Sequence, residues 1–365
     1  MTEEQAWLAL NAAELPPRTA LDLLDHFGSP LALLSASPAA VAGAARLSPS
    51  ELARFAEAQG RDHQNDLRKL SELKARLVSI RDAEYPPNLR QIYDPPPLLF
   101  VQGSLQQRDE RCVAIVGTRR ATPYGRLVSE TLGRDLAARG VTVVSGMAVG
   151  ADAAAHRGAL VAGGRTIGVL ACGIDVLYPR ATLELRERAI ARGAVLSELP
   201  LGTSARPARF AARNRLISGL ALGVVVTEAP ERSGALITAN LAANQGRAVF
   251  AVPGSVNSEL SRGAHALLRD GARLVESVDD ILDELSLPEL SPAPELPPSD
   301  REPEESGLTG DERSILEALS LQQKHVDAII HQCQLPSSRA SAGLLMLELK
   351  GLVRRLPGNM FMRVR

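Results

Sequence analysis

The segment CVAIVGTRR at residues 112–120 is the strongest indication of the fold, because an unbroken apolar run ends there in a glycine and two arginines. A second run of the same kind, VTVVSGMAVG at 141–150, follows a helical stretch from about Pro123 to Arg139. Apolar runs without alternation are typical of strands buried on both faces of a parallel sheet. The two runs and the helix between them therefore predict a β-α-β unit with strands at Cys112–Val116 and Val141–Ser145.

The same alternation of β-rich runs and helical stretches continues to about residue 285. Further strands are predicted at Thr166–Ala171, Val195–Ser197, Gly223–Thr227 and Ala248–Val252. Gly193 and Gly246 each stand between a helix and the next strand, where we expect them to supply a left-handed helix C-cap. The pattern predicts a Rossmann-like, doubly wound, mostly parallel α/β domain.

Three other regions flank this core, which we place at residues 83–285. Residues 1–82 are helical in pattern, with glycine and proline turns typical of a SAM-like or helix-hairpin-helix domain. The core opens with a proline-rich segment, 83–97, that we expect to be an extended linker. Residues 286–306 are rich in proline and acids and predict a disordered linker.

The C-terminal region, 307–365, predicts a small winged-helix-like domain. Its pattern gives three helices followed by a hairpin around Pro357-Gly358-Asn359, with Gly351 as the cap of the third helix. The helices are expected at Ser314–Leu319, Val326–Cys333 and Arg339–Lys350.

Composition limits the classes of protein to consider. The formal net charge is −1 over 365 residues, so nucleic-acid binding would require a local cluster of positive charge. The three cysteines, Cys112, Cys172 and Cys333, are too few and too far apart for a disulfide framework or a zinc cluster. We find no secretion signal and no apolar run of about 18 residues. We therefore expect a cytoplasmic protein without a membrane span.

Small and basic residues follow the first two strands of the core, at the edge where doubly wound sheets bind ligands. Gly117 allows a tight turn, Thr118 offers a hydroxyl donor, and Arg119 has a guanidinium group that suits phosphate. Ser145 and Gly146 open a second loop after the next strand. Turn geometry alone would explain one such loop equally well.

An arginine-rich segment between residues 206 and 215 contains no acid and one aromatic side chain. Arginine clusters bind phosphates, and an aromatic ring among them can stack on an unpaired base, which favours single strands over duplexes. A solvated helix face is the alternative, but the apolar run 216–220 that follows indicates packing into the domain. The candidate residues are Arg206, Arg209, Phe210, Arg213, Asn214 and Arg215, with Asn214 expected to cap or hold the backbone.

Several enzyme and cofactor signatures are absent from the sequence. There is no G-x-G-x-x-G after the first strand, no P-loop, no H-E-x-x-H and no paired C-x-x-C. Ser197 and Ser233 lack a nucleophile elbow. His156 and Asp152, four residues apart, could form a catalytic pair but are more simply a helix cap and a packing pair. We therefore predict no cofactor, no metal and no catalytic residue.

In their order along the chain, these motifs resemble the DNA processing protein A (DprA, or Smf) family over roughly residues 85–285. The matching segments begin with Gly117-Thr118-Arg119 and Ser145-Gly146 and continue through Cys172-Gly173-Ile174-Asp175 and Tyr178-Pro179. The most specific are Phe210 with Arg213-Asn214-Arg215, then Ser233-Gly234-Ala235, then Val252-Pro253-Gly254-Ser255.

The resemblance implies a non-enzymatic protein that binds single-stranded DNA and forms a homodimer through the Rossmann-like core. It implies that the protein protects incoming DNA and loads the RecA recombinase in natural transformation. Arg119 would contact the DNA backbone in a pocket that Phe210, the nearby arginines, Ser233 and Gly234 also line. Arg206 or Arg209 stands where the family often has a lysine, and Ala211 replaces its usual proline.

Two other functions are compatible with parts of the sequence. A nucleotide phosphoribohydrolase-like enzyme could use a related core with Glu228, although Pro253-Gly254-Ser255 lacks the second glycine and the T-x-x-E of that motif. A transcription factor could read duplex DNA with the C-terminal domain. The helix predicted at 339–350 is mostly Leu, Ala and Ser, however, whereas a duplex reader usually has a basic recognition helix.

Overall fold

The computed structural model describes residues 1–287, 308–320, 323–350, 352–356 and 358–363. The chain divides into two compact units, one with the N-terminal helices and a large sheet, the other including the C-terminal residues from 308 onward. Almost all of the predicted linker 286–306 lies outside the described residues, as do Gly351 and Pro357. The division into four domains stays a prediction.

Six helices form the N-terminal region, and serine-proline pairs begin three of them. Ser29, Ser37 and Ser48 each accept a backbone N–H through the side chain, while the proline that follows takes the first helical position. Serine satisfies an unpaired donor there, and proline has no N–H to leave unsatisfied. The helices are α1 (Glu3–Ala12), α2 (Pro17–Phe27), α3 (Pro30–Ser35), α4 (Pro38–Ala44), α5 (Pro49–Gly60) and α6 (Gln64–Glu72).

A nine-stranded sheet forms the centre of the first unit, in the order β1-β2-β6-β5-β4-β3-β7-β8-β9. The strands from β3 onward are parallel, and β1 and β2 add an antiparallel edge. Their bounds are β1 (Ala75–Ser79), β2 (Leu98–Gly103), β3 (Cys112–Val116), β4 (Thr142–Ser145), β5 (Thr166–Val169), β6 (Ala194–Ser197), β7 (Gly223–Val226), β8 (Ala248–Ala251) and β9 (Arg273–Leu274). The prediction of a doubly wound, mostly parallel sheet is confirmed.

Helices connect these strands. They are α7 (Pro87–Arg90), α8 (Pro123–Ala138), α9 (Ala151–Val161), α10 (Leu183–Arg192), α11 (Pro207–Leu220), α12 (Gly234–Asn244), α13 (Arg262–Arg269) and α14 (Val278–Glu284). None of the helices described is long and apolar enough to cross a membrane.

Apolar side chains pack on both faces of the sheet, as strand β2 shows. On β2, Leu98 and Phe100 belong to the cluster that contains the N-terminal helices, whereas Leu99 and Val101 belong to the cluster formed with α11 and α12. Successive side chains of a strand point to opposite faces. A strand covered on both sides must therefore be apolar at every position, which is why the runs in the sequence do not alternate.

Three local predictions are wrong. Residues 75–79, predicted as helical, form β1, because their pairing with β2 across the proline-rich segment outweighs a weak local pattern. The segment 83–97 is not wholly extended, since Pro87 begins α7 at a position where proline is favoured. Gly193 has φ −159°, so it is no left-handed cap; a Cβ there would lie 2.0 Å from the Thr166 carbonyl oxygen. Gly246, with φ 70°, does adopt the left-handed conformation.

Helices α8 and α9 approach each other so closely that only glycine fits at the contact. A Cβ on Gly158 would lie 2.0 Å from the carbonyl oxygen of Glu130, and one on Gly133 would lie 2.3 Å from that of Ala155. A side chain at either position would have to push one backbone away from the other.

We expect Gly158→Ala to lower the free energy of unfolding by about 1–3 kcal/mol, because the clash exceeds the ~1 kcal/mol that alanine gains over glycine inside a helix. Gly43→Ala in α4 is the matched control, since nothing lies within 4 Å of a Cβ there. It should be neutral or slightly stabilising. Urea denaturation followed by circular dichroism measures both, and equal midpoints for the two variants would contradict the close contact.

The described residues from 308 onward form three helices and a three-stranded sheet of order β10-β12-β11, in agreement with the winged-helix prediction. Ile315, Ile329, Leu344 and Phe361 are among the buried residues that form the core of this region. The hairpin of β11 and β12 is antiparallel as predicted, and the short strand β10 was not predicted. The elements are α15 (Gly310–Ala318), β10 (Lys324–His325), α16 (Val326–Cys333), α17 (Ser337–Leu349), β11 (Val353–Leu356) and β12 (Met360–Arg363).

Candidate nucleic-acid interface

The switch point of the sheet lies between β3 and β7. The chain leaves β3 toward β4 on one side, and β7 leads to β8 on the other. Loops diverge at such a point and leave a crevice at the carboxyl ends of the strands. The loop Gly117–Arg119 lies there, and the Thr118 N–H donates to the Glu228 carbonyl oxygen at 2.7 Å.

Glycine brings the loops after β3 and β4 into direct contact. A Cβ on Gly117 would lie 2.6 Å from the Cβ of Ala151. Gly150 has φ 87°, and a Cβ there would lie 2.4 Å from the Thr118 carbonyl oxygen. Both positions therefore require glycine, and the close contact fixes the backbone that presents Arg119.

Arg119 and Phe210 meet at this edge of the sheet. The guanidinium carbon of Arg119 lies 4.3 Å from the centre of the Phe210 ring, a cation–π contact, and the Arg119 side chain is exposed. Tyr178 packs against Phe210, with the two ring centres 5.9 Å apart. The three side chains present stacking surfaces and an exposed cation together.

These side chains line a cleft of about 150 Å³ at the carboxyl edge of the sheet. Its walls come from the loops after β3, β4 and β5 and from the first turns of α11. Tyr178 is absent from the residues predicted for the site, although it is one of few aromatics in the chain and follows β5 in a Tyr-Pro pair. The lining residues of the cleft include Arg119, Gly146, Val149, Cys172, Tyr178 and Phe210.

Arg213 lies beneath the cleft, not in it. It is 5% exposed, and its guanidinium donates to the carbonyl oxygen of Gly146 at 2.8 Å and to that of Val169. Burial lowers the pKa of Arg213 to about 10, so it stays protonated at neutral pH. Its charge lies near Asp152, whose carboxylate accepts the N–H groups of Gly146 and Ala148. Arg213 thus holds the loop after β4 in place.

Two neighbours of Arg213 on α11 are also engaged within the protein. Arg215 forms ion pairs with Asp94 and Glu198. Asn214 donates to the Gly234 carbonyl oxygen at 3.1 Å and so holds the start of α12, which agrees with the predicted holding role. The structure therefore does not place Arg215 or Asn214 on the wall of the cleft.

Arg206 directly precedes α11 as its N-cap residue, and Arg209 lies in the first turn, next to Phe210. Arg206 is exposed, and half-buried Arg209 donates from Nη1 to the Ser204 carbonyl oxygen at 2.7 Å. The positive end of the helix dipole adds to their charge, so this end of α11 is favourable for an anion.

The two serines predicted for the site have structural contacts. Ser145 is buried and its hydroxyl donates to the Ile115 carbonyl oxygen at 2.6 Å, which joins β4 to β3. Ser233 caps α12 by accepting the N–H of Leu236. Gly234 is exposed next to it.

Among the described residues, no hydrogen bond joins His156 to Asp152. The Nδ1 of His156 lies 2.6 Å from the Thr166 hydroxyl, and the Nε2 atom is buried without a partner among the described residues. Burial lowers the pKa of His156 to about 3 and raises that of Asp152. Among the described residues no group of three or more His, Cys, Asp or Glu could hold a metal ion.

Buried His156 should make stability depend on pH. Its folded pKa lies below the unfolded value, so its contribution is complete above pH 6.5 and is lost as the pH falls toward 3, by up to about 1.4 kcal/mol per pH unit. Asp152, with its raised pKa, offsets part of this loss. We expect His156→Asn to flatten the fall in unfolding free energy between pH 6 and 4, measured by urea denaturation. The exposed His26→Asn is the control, and an unchanged slope for His156→Asn would contradict the prediction.

The C-terminal helix α17 exposes Leu345 and Met346, and its Arg339 pairs with Asp311. A basic recognition surface of the kind that duplex readers present is therefore not found on the described residues of this helix.

Comparison with protein families assigns residues 76–286 to the family described as DNA recombination-mediator protein A, and residues 297–359 match the DprA winged helix domain. Protein Smf of Synechocystis sp. is 36% identical over 313 residues, covering 77% of this chain and 78% of that protein. Protein Smf of Escherichia coli is 35% identical over 315 residues, covering 86% of this chain and 83% of that protein.

Solved structures agree with these relatives. The X-ray structure of DNA processing protein A (DprA) from Streptococcus pneumoniae has a TM-score of 0.69 and 36% identity, covering 78% of this chain and 98% of that chain. A structure of DNA processing protein A from Helicobacter pylori, which concerns its single-stranded DNA binding mode, has a TM-score of 0.52 and 31% identity. It covers 58% of this chain and 96% of that chain.

The fold and the cleft define a Rossmann-like α/β protein with a winged-helix domain. Both of its matched regions correspond to domains of one family, and the similarity to single relatives extends over most of the chain. The chain belongs to the DNA recombination-mediator protein A family, also called DprA or Smf.

Proposed function

We propose that this protein binds single-stranded DNA in the cleft at the switch point and acts as a recombination mediator without enzymatic activity. The observation that carries the proposal is the contact of exposed Arg119 with Phe210, which in turn packs on Tyr178. Guanidinium groups bind phosphates, and aromatic rings stack on bases that are not paired. A single strand offers both groups to one surface, whereas duplex bases are already stacked.

The size of the cleft supports a polymer as its ligand. Pockets that enclose a whole small molecule usually have volumes of about 300–1,000 Å³. The cleft has about 150 Å³, which suits one or two groups of a longer ligand. The Asp152 carboxylate accepts the N–H groups of Gly146 and Ala148 on the cleft wall and is buried, so it is poorly suited to act on a nucleotide. These features favour DNA binding over the phosphoribohydrolase alternative.

From the family resemblance we further propose that the protein works in the cytoplasm, protects incoming DNA, and loads RecA onto it in natural transformation. We also propose that it forms a homodimer through the Rossmann-like core. Sedimentation at micromolar concentration tests the dimer, and a monomer there would count against it. RecA filament formation on coated single strands, measured with and without this protein, tests the loading.

The experiment for DNA binding is fluorescence anisotropy with labelled single-stranded and duplex oligonucleotides over a series of salt concentrations. We expect preference for the single strand, with log affinity falling by about 0.7 per log unit of salt for each phosphate neutralised. If neither form binds at low salt, the proposal is wrong, and hydrolysis of nucleoside monophosphates should then be tested.

A further inference from the structure

Exposed arginines continue along the carboxyl edge of the sheet beyond the cleft. Arg119 and Arg120 follow β3, Arg232 lies in the loop after β7, and Arg262 begins α13 after β8. All four are exposed, and in the ranges that the structure describes no carboxylate forms an ion pair with any of them. Arg119 lines the cleft. The proposed binding in the cleft gives no role to the other three arginines.

Backbone hydrogen bonds place these loops side by side. The Thr118 N–H donates to the Glu228 carbonyl oxygen at 2.7 Å, which joins the loop after β3 to the loop after β7. The Ala229 N–H donates to the Leu260 carbonyl oxygen at 2.7 Å, which joins the loop after β7 to the residues that lead into α13. Neighbouring strands are about 4.8 Å apart, so the three loops span roughly 10 Å of one edge.

The surface between these arginines is open. Gly234 begins α12 directly after Arg232 and Ser233, and a Cβ there would meet nothing closer than the Asn214 side-chain nitrogen at 4.0 Å. Packing therefore does not require glycine at position 234. Because glycine has no side chain, the backbone of the first turn of α12 is uncovered there. Two exposed acids, Glu231 and Glu259, lie on the same loops, so the four arginines leave an excess of positive charge.

We infer that the path of a bound single strand continues from the cleft over the start of α12 to Arg232 and Arg262. The inference rests on the proposed function and extends it, because it assigns a second, outer set of phosphate contacts. In the cleft, bases of the DNA strand stack on Phe210 and Tyr178. Farther along, at Arg232 and Arg262, the protein contacts only the phosphates of the strand. A short oligonucleotide fills the cleft alone, and a longer one also reaches the outer arginines.

The test compares the double variant Arg232→Glu with Arg262→Glu against the unchanged full chain, using oligothymidylates of about 6 and about 20 nucleotides. We expect the variant to bind the longer strand about tenfold more weakly or worse, with a salt slope shallower by about 1.4 for two lost phosphate contacts. Affinity for the short strand should change much less. The control is Arg46→Glu with Arg188→Glu, two exposed arginines away from this edge.

The outcomes separate the two proposals. If the unchanged protein binds neither strand, the proposed function is wrong and the inference fails with it. If it binds both, and the double variant binds the longer strand as the unchanged protein does, only the outer path is refuted. An equal loss for both strands also refutes a separate outer path. Thermal denaturation of each variant verifies that it is folded.

Discussion

Replacing Arg213 by methionine is expected to lower the free energy of unfolding by about 3–5 kcal/mol, because removal of one partner leaves a buried charge uncompensated. The guanidinium of Arg213 is the positive charge near buried Asp152, and it satisfies the carbonyl oxygens of Gly146 and Val169. Methionine fills similar space but satisfies neither carbonyl. The measurement is urea denaturation at neutral pH.

Arg206 provides the matched control for this substitution. It lies at the start of the same helix and is exposed, so Arg206→Met should change stability by no more than about 0.5 kcal/mol. Arg213→Lys keeps the charge but loses the fork of donors, and we expect an intermediate loss. If Arg213→Met unfolds at the same urea concentration as Arg206→Met, the supporting role of Arg213 is excluded.

Charge reversal at Arg119 is the second large effect, and it concerns binding instead of stability. We expect Arg119→Glu to weaken binding of single-stranded DNA by about 10- to 100-fold, since it removes a charge-assisted contact and adds repulsion. The side chain is exposed and contacts the Phe210 ring, so the fold should be retained. Fluorescence anisotropy gives the affinity, and Arg46→Glu, at an exposed position in the N-terminal region, has the same change in net charge.

The salt dependence of binding distinguishes the role of Arg119 from that of Phe210. Arg119→Glu should reduce the slope of log affinity against log salt by about 0.7, the value for one phosphate on a single strand. Phe210→Ala should weaken binding through lost stacking while the slope stays the same. A folded Arg119→Glu protein that binds with normal affinity would remove Arg119 from the interface.

Much of the core could be predicted because its signals are local. The strands from β3 to β8 are short apolar runs, and each was predicted to within about two residues of its observed bounds. Strands β1 and β9 lack such a run, and their structure depends on pairing with a neighbour. Position 193 does require glycine, but not for a left-handed cap: a Cβ there would clash with the carbonyl oxygen of Thr166 on another strand.

The class of fold, the loops that line the cleft, and the arginine-rich helix with Phe210 follow from the sequence alone, because they depend on residues close together in the chain. Which arginines can meet a ligand depends instead on tertiary packing. Arg209 and Arg213 are four residues apart, so they share one face of α11. Arg213 is buried and Arg209 is not, because the helix runs from the surface into the domain. Periodicity specifies the face of a helix, whereas depth along its axis depends on what packs around it.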